Sequence, residues 1–478
     1  MKAKINLFYY FLIIVLSCPW LLGQLSFQNE FCDSTSCEFS TGGIFVVWWD
    51  AEYDYSNDAQ QLLEVLNGIR LICLDELFME DPPNPGDGYY YNVYIGNWNE
   101  DLFPDGWAVG QGTDSFGYPY LTLAIGAHLE PIYQYHEGFH IFQYNANSPG
   151  FSYDGDSAWF VEASANWFVS WVLPDEELAF LECAAIEANP QLPMWYDNWN
   201  APPDDPQNWQ RGVHPYAMNA FLYYLTENTG FPATLISSGF YSGTQLLPQE
   251  FLATEIGVAD FREIFADWAS HNVADFDYIT LEQLNRARTE LENYGDPNDL
   301  NPIIDVIGAE GTNGQWFTPP EDWFPGGWSY NVYDLMDINS GKVAFYFQGS
   351  NAETAHFRSR IVVQTDNEVD IYSLNQINDQ AGFIAIDIVP ETEMIKYIVA
   401  AVPNQYTSNQ NYPYEIWIEA DFLPGDVNHD ESVNILDIMT MLNTLFSNDY
   451  DILVDINLDN NVNILDIIVL INIILDLG

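Results

Sequence analysis

The sequence predicts a multidomain chain made of an α+β domain, a β-sandwich and a small all-α domain. Between about residues 43 and 292, strand patterns come first and long helical patterns follow, which is typical of an α+β arrangement. From Trp328 to Ala420 the chain carries short β-branched and aromatic runs separated by turn residues. A twelve-residue pattern then occurs twice within residues 421–478. With 478 residues, the chain is too long for a single hydrophobic core.

The charge of the chain is strongly negative. It has 70 Asp and Glu against 11 Lys and Arg, a formal net charge of −59. Such a surface repels nucleic acids and anionic membranes, so we expect neither as a partner. A strongly acidic surface instead favours solubility at high ionic strength and the binding of divalent cations.

Residues 1–23 are predicted to be a signal peptide. Lys2 and Lys4 precede the apolar run Leu7–Leu16, which has the length of a signal-peptide core and is short for a membrane span. Lipidation of Cys18 is the weaker alternative, because the three residues before it match the usual pattern poorly. No later segment is apolar over enough residues to span a bilayer. We therefore expect a secreted, extracellular protein, either free or associated with the cell surface.

Four cysteines remain after the predicted leader: Cys32, Cys37, Cys73 and Cys183. An even number in an exported protein allows two disulfides, in any of three pairings. We favour Cys32 with Cys37 and Cys73 with Cys183.

The α+β domain is predicted to span residues 24–297. Its first strand is Gly43–Trp49, a helix follows over Ala59–Phe78, and Tyr89–Ile95 is the next strand. Helices dominate residues 120–185, 215–228 and 249–292.

The β-sandwich is predicted to span residues 298–420. Its strand signals are Val343–Phe347, Arg360–Val363, Phe383–Ile388, Tyr397–Val402 and Tyr414–Ile418. No catalytic constellation is visible in it, so we expect an accessory role.

The repeated pattern in residues 421–478 has the spacing of calcium-binding loops. In each copy, oxygen-bearing side chains occupy loop positions 1, 3, 5, 9 and 12, as in a twelve-residue loop that wraps a hard cation. The candidate calcium ligands are Asp426, Asn428, Asp430, Ser432, Asn434 and Asp437 in the first loop, and Asp455, Asn457, Asp459, Asn461, Asn463 and Asp466 in the second. We expect up to two structural calcium ions.

With an apolar helix after each loop, this tail resembles a type I dockerin. The resemblance implies a small all-α domain and a cohesin-like or cell-surface partner. Loop position 6, normally glycine, is Glu431 in one loop and Asn460 in the other; glutamate tolerates the left-handed turn poorly, so we expect the first site to be weaker. The positions that dockerins use to grip a cohesin are the apolar pairs 435–436 and 464–465, which departs from the usual small polar pair.

His136-Glu137-Gly138-Phe139-His140 carries the strongest catalytic signal. The stretch has helical periodicity, and residues four apart on a helix face the same way, so both imidazoles can bind one metal ion. Glu137 lies where it can act as general base toward a water that the metal activates. The alternative without a metal is a helix whose histidines pack in the core or cap a neighbouring element.

Glu162 is the predicted third metal ligand. It lies in an apolar helix, where a buried carboxylate is costly unless a partner such as a cation compensates its charge. Two histidines, one glutamate and an open fourth position form a known catalytic zinc arrangement. Asp156 is the rival third ligand.

Together, the motif and the later Glu162 helix resemble the gluzincin metallopeptidases, over roughly residues 43–290. The resemblance implies a zincin-like fold, one catalytic zinc at His136, His140 and Glu162, and Glu137 as the base. It also implies a later helix that supplies an oxyanion donor. Tyr216 is the favoured candidate, because it precedes the apolar helix 217–225, and His214 is the second candidate.

One turn after Glu162, Asn166 stands where some members of that group have an acidic residue that orients a ligand histidine. An amide there would orient the imidazole less strongly. His128, before the motif, is expected to be structural.

The sequence thus predicts a secreted zinc metallopeptidase that hydrolyses protein or peptide substrates. The alternative is a non-catalytic extracellular binding or scaffold-docked protein that uses the β-sandwich and the calcium-loop tail.

Overall fold

The computed structural model describes residues 25–32, 37–96, 108–196, 212–293, 303–305, 314–335, 341–349, 355–366, 368–407, 410–447, 451, 453–459 and 461–477. The chain divides into two compact units, residues 1–146 and 147–478. The predicted signal peptide lies outside the described residues, and the predicted domain boundaries remain predictions. Among the described helices, none combines the length and the apolar character that crossing a bilayer requires.

The first unit is a mixed sheet with helices packed on it. Its elements are β1 (Cys37–Gly42), β2 (Phe45–Asp50), α1 (Ser56–Asp75), α2 (Pro83–Gly86), β3 (Tyr91–Gly96), β4 (Ala108–Thr113), β5 (Pro119–Ala124) and α3 (Pro131–Gln143). The strand order is β1-β2-β3-β5-β4. The three inner strands are parallel, and β1 and β4 run antiparallel to their neighbours.

Strand β2 is buried along most of its length because both of its faces are covered. On one face, Val46 and Trp48 pack with Tyr94 and Tyr120 beneath Phe31 of the segment that precedes β1. Helix α1 packs against β1 and β2, and α3 packs against α1, β4 and β5. The sheet thus supports the helix that carries the histidine motif.

The structure contains one of the two favoured disulfides. Cys32 and Cys37 are bonded to each other. The pairing of Cys73 with Cys183 is wrong, since both are free and buried. Cys73 belongs to the buried face of α1 and Cys183 lies directly before a different helix, so each thiol fills space in its own core. Burial raises the pKa of both thiols.

The second unit begins with helices. These are α4 (Ala158–Val172), α5 (Ala184–Ala188), α6 (His214–Ala217), α7 (Asn219–Tyr223), α8 (Thr234–Tyr241), α9 (Pro248–Ile256), α10 (Val258–Val273) and α11 (Leu281–Asn293). Helix α4 is buried on all sides, because neighbouring elements, α6 and α7 among them, surround it.

Two β-sheets follow the helices and share one core. The strands of this region are β6 (Ile303–Asp305), β7 (Gln315–Phe317), β8 (Ser329–Asp334), β9 (Gly341–Gly349), β10 (Phe357–Thr365), β11 (Val369–Ser373), β12 (Asn375–Asn378), β13 (Ala381–Ile388), β14 (Thr392–Ala401) and β15 (Tyr414–Ala420), and all except β7 belong to the two sheets. One sheet has the order β11-β10-β14-β8-β6 and the other β12-β13-β9-β15. Residues of both, such as Phe345, Tyr397 and Ile416, form the common core. The predicted sandwich-like arrangement is therefore confirmed.

Ion pairs join the sandwich to helix α10. Arg360 of β10 contacts Glu263 at 2.7 Å and Asp267 at 2.8 Å, and Arg358 contacts Glu263 at 2.5 Å. Arg262 donates to the Val402 carbonyl at 3.0 Å. Three of the 11 basic residues of the chain meet here. The sandwich is thus attached to the helical part by charge-assisted hydrogen bonds between buried arginines and half-exposed carboxylates.

The C-terminal part holds two helices, α12 (Ile435–Ser447) and α13 (Ile464–Leu477). They pack on each other around Met441 and Leu470, with Val427, Val454 and Ile467 completing a small core. Each helix follows one of the two repeated loops.

Candidate metal centres

Helix α3 places the histidine motif inside the protein. Pro131 begins the helix, where its fixed φ is favourable and its missing N–H leaves no bond unmade. His136, Glu137 and His140 are all buried. The Nε2 atoms of the two histidines lie 3.1 Å apart. With zinc–nitrogen bonds of 2.0–2.1 Å, a tetrahedral ion holds two nitrogens about 3.3 Å apart, so the two rings are close to the spacing that one zinc ion needs.

Gln143 holds the ring of His140. The Nδ1 atom of His140 lies 2.5 Å from Oε1 of Gln143. An amide oxygen only accepts hydrogen bonds, so Nδ1 carries the proton, and Nε2, which faces Nε2 of His136, is the atom that would bind a metal. Gln143 is one helical turn after His140 and was not predicted from the sequence. It could have been found from its spacing, because a side-chain amide three residues after a candidate ligand histidine lies on the same face of the helix.

Gly138 lets the motif approach α1 closely. A Cβ atom at this position would lie 2.6 Å from Cδ1 of Ile69, closer than side-chain carbons approach one another. The glycine inside the motif therefore has a packing role. His128, near the start of α3, is held structurally: its Nδ1 accepts the Gly126 N–H at 3.2 Å, and its Nε2 lies 3.5 Å from Asp58.

Glu162 lies on the buried helix α4, and a tyrosine reaches it. The hydroxyl of Tyr153 donates to Oε1 of Glu162 at 2.5 Å. Phe151, two residues before the tyrosine, packs into a ring cluster with Phe160 and Phe240. This anchor fixes the path of the segment that carries Tyr153. The sequence reasoning did not single out Tyr153, because nothing local distinguishes it among 30 tyrosines.

His136, His140 and Glu162 form a group in which one ligand atom from each residue lies within 4.8 Å of the others. All three residues are buried. Imidazole nitrogen and carboxylate oxygen are ligands that zinc accepts, and a cation would compensate the buried carboxylate. The donor set and its burial thus fit a zinc ion. Asp156, the rival ligand, is not part of this group in the described structure.

The candidate oxyanion donors, Tyr216 and His214, both lie on helix α6, which packs against α4. The amide of Asn166 donates to Glu182 at 3.1 Å and to the Tyr216 carbonyl at 3.4 Å, so it links α4 to α6. Tyr216 is half-buried, whereas His214 is fully enclosed beside the ring of Tyr196. Burial lowers the pKa of His214 to about 4, although the nearby Pro193 backbone acts in the opposite direction. His214 is therefore neutral at physiological pH.

The two C-terminal loops have the same hydrogen-bond pattern. In the first, Asp437 accepts the N–H groups of Asn428 and Asn434, at 3.1 and 2.8 Å, and Asp426 accepts that of Asp430 at 3.1 Å. The corresponding bonds in the second loop join Asp466 to Asn457 and Asn463, and Asp455 to Asp459. The terminal carboxylates at position 12 are fully buried.

Position 6 of the first loop adopts the left-handed turn that the pattern requires. The φ angle of Glu431 is 64°, a region in which a side chain is strained. Asn460, at the same position of the second loop, lies outside the described residues.

Helices α12 and α13 leave apolar side chains in solvent. The exposed positions include the two pairs that the dockerin resemblance assigns to partner binding. They are Ile435, Leu436, Met439, Phe446, Ile464, Leu465, Ile468, Ile471 and Leu475. Exposed apolar side chains in this number are a common feature of interaction surfaces.

Comparisons with known proteins place the chain in a family. A family model described as "Family of unknown function (DUF6055)" matches residues 42–421, so the chain belongs to that family. The dockerin type I domain matches residues 424–475, which confirms the dockerin prediction for the tail. No curated protein matches the chain.

Two solved structures resemble the chain weakly. The first is the M60 catalytic domain with the CBM51-1 and CBM51-2 domains from Clostridium perfringens ZmpB, with 8% identity and a TM-score of 0.27, covering 81% of this chain and 60% of that one. The second is the GH115 4-O-methyl-alpha-glucuronidase BtGH115A, with 10% identity and a TM-score of 0.14, covering 72% of this chain and 54% of that one. This chain thus spans less than two thirds of either, and TM-scores this low support no argument about fold or function.

Proposed function

We propose that this chain is a secreted zinc-dependent metallopeptidase. The observation that carries the proposal is the convergence of His136, His140 and Glu162, all buried, with Glu137 on the same helix as the two histidines. Two imidazoles and one carboxylate leave a coordination position open for catalysis. A purely structural zinc site would more often have four protein ligands.

Each residue has a defined role in the proposed reaction. Bound zinc would polarise the scissile carbonyl and activate the attacking water. Glu137 accepts the proton of that water and passes it to the leaving amine. Gln143 keeps His140 in the tautomer that binds metal through Nε2. The developing oxyanion takes a hydrogen bond from Tyr216 or His214, as the sequence predicts, or from Tyr153, whose hydroxyl already lies beside Glu162.

The test is Glu137→Gln. This change keeps the size of the side chain and removes the base, so casein hydrolysis should fall by about 10²–10⁴-fold. Zinc measured by mass spectrometry should stay near one ion per chain, and 1,10-phenanthroline should abolish the wild-type activity. Activity that survives in the variant would overturn the mechanism. A wild-type chain that binds no zinc would overturn the metallopeptidase itself.

The dockerin match supports a second role, in which the tail holds two calcium ions and attaches the chain to an extracellular partner. The buried position-12 carboxylates of both loops suit calcium, because a hard cation compensates their charge. A cohesin-like protein is the proposed partner, and the exposed apolar pairs on α12 and α13 require a matching apolar surface on it. Pull-down from an extracellular fraction with and without EGTA tests this attachment. If the attachment is the only function, the Glu137→Gln comparison shows no hydrolysis in either protein.

A further inference from the structure

The C-terminal domain lies against the outer face of the β-sandwich. Only residues 421–425 connect β15 to the first loop. This connection is itself part of the sandwich surface, because the Phe422 N–H donates to the Lys342 carbonyl at 2.9 Å. The ring of Phe422 also packs with Phe383 of β13, at a centroid distance of 6.0 Å. The connection is therefore short and held in place at its start.

The contacts on the domain side come from the loops and the segment between them. His429, at position 4 of the first loop, packs its ring against Trp417 of β15 at 5.2 Å and lies 3.4 Å from the Glu419 carboxylate. Leu453, two residues before the second loop, joins the apolar cluster that Tyr346 and Trp417 form on the outer face of the sheet. These contacts do not involve the helix faces that carry the exposed apolar pairs.

The first residues of both loops also face this interface. Asp426 and Asp455 line a cavity of about 190 Å³ together with Lys342, Tyr346 and Phe383 of the sandwich. Asp426, Asp437, Asp455 and Asp466 are at least nine-tenths buried. Without a cation, several buried carboxylates within one small domain repel each other and favour opening of the loops. Opening would displace His429 and the segment around Leu453 from the sandwich.

We propose that calcium in the two loops fixes the C-terminal domain to the outer face of the β-sandwich. The domain is then a calcium-dependent part of the body and not a freely tethered module, and its apolar helix faces point away from the sandwich toward a partner. The proposal rests on the calcium binding proposed above and is independent of the zinc chemistry. Because docking and calcium binding are coupled, weakening one weakens the other.

The test compares cleavage of residues 421–425 in the full chain by a broad-specificity protease, with products identified by mass spectrometry. In calcium, Phe383→Gln and Leu453→Gln should each speed this cleavage about tenfold, since each raises the population of the undocked domain. Val369→Gln is the matched control: it also makes an apolar side chain polar, but at an exposed position of β11, which belongs to the other sheet of the sandwich. It should be cleaved at the wild-type rate. EGTA should bring all four proteins to the same fast rate.

Calcium titration by calorimetry separates the two possible failures. If the wild-type chain binds two calcium ions and both interface variants are cleaved at its rate, the docking proposal is overturned while the calcium sites stand. If the wild-type chain binds no calcium, both are overturned. Circular dichroism of Phe383→Gln and Leu453→Gln checks that each variant is folded. Phe383 lies in the sandwich and Leu453 in the C-terminal domain, so a similar rise in the cleavage rate of both variants cannot come from local unfolding of one domain.

Discussion

Nδ1 of His140 and Oε1 of Gln143 lie 2.5 Å apart, one helical turn from each other. This bond sets the tautomer of a proposed zinc ligand. Residues that hydrogen-bond to a metal ligand in this way typically contribute 10- to 100-fold to metal affinity. We therefore expect Gln143→Ala to weaken zinc binding by about that factor, measured by competition with a chromophoric chelator. Gln143→Glu retains an acceptor and should restore most of the affinity. Equal affinities in all three proteins would remove the positioning role.

Tyr153 is expected to matter for turnover more than for zinc binding. Tyr153→Phe keeps the ring and removes the hydroxyl that reaches Glu162. If that hydroxyl stabilises the oxyanion, kcat should fall by about 10²-fold with little change in KM, because the bond forms mainly in the transition state. Because the same hydroxyl also donates to the proposed ligand Glu162, zinc affinity should fall by about 10-fold, and zinc content at saturating zinc should stay unchanged. Tyr53→Phe, which alters a similarly exposed tyrosine in another region, is the control and should retain wild-type kcat. A wild-type kcat in Tyr153→Phe would leave Tyr216 and His214 as the candidates.

Gly138→Ala should destabilise the fold through one identifiable contact. The added methyl group would lie 2.6 Å from Cδ1 of Ile69, and overpacking of this kind costs about 1–3 kcal/mol. Since Cδ1 ends a flexible side chain and alanine gains about 1 kcal/mol of helix propensity over glycine, we expect a net loss of about 1 kcal/mol. Ile69→Val removes that atom, so Gly138→Ala should cost less in the Ile69→Val background than in the wild type. Urea unfolding of the four proteins measures the coupling. A cost that is independent of residue 69 would show that the clash is relieved in another way.

We expect His214 to make the folded protein less stable in acid. Its pKa is lowered to about 4 by burial, whereas an unfolded histidine titrates near 6.5. Between these values the unfolded chain binds more protons, so the stabilisation is complete above pH 6.5 and declines as the pH falls toward 4. Over this whole pH interval, the free energy of unfolding should fall by about 3 kcal/mol because of His214.

His214→Gln, which does not titrate, should lose stability less steeply over that interval. Urea midpoints at several pH values between 4 and 7 make the comparison. Parallel curves for the two proteins would show that His214 is not protonated on unfolding.

Local geometry explains why the sequence already pointed to parts of both candidate metal centres. Residues four apart on a helix share a face, so the spacing of His136 and His140 already required their rings to converge. The two loops could be predicted for a similar reason, since all the ligands of one loop lie within twelve consecutive residues. Alternating short strands likewise predicted a sandwich-like pair of sheets, whose pattern is local to each strand.

The remaining features depend on chain segments that are distant in sequence. The hydrophobic pattern does not reveal that Cys73 and Cys183 are free thiols in separate cores. A buried free cysteine and a buried disulfide-bonded cysteine occur in equally apolar stretches of sequence, so the pattern is the same for both. Nor does it show that Arg358 and Arg360 attach the sandwich to helix α10. The contact of Tyr153 with Glu162 depends on how the intervening segment turns.

The sequence by itself thus determined which residues are candidate metal ligands, since the patterns that single them out are short-range spacings. Only the tertiary structure decided which side chains support them, because those partners meet through the packing of whole elements.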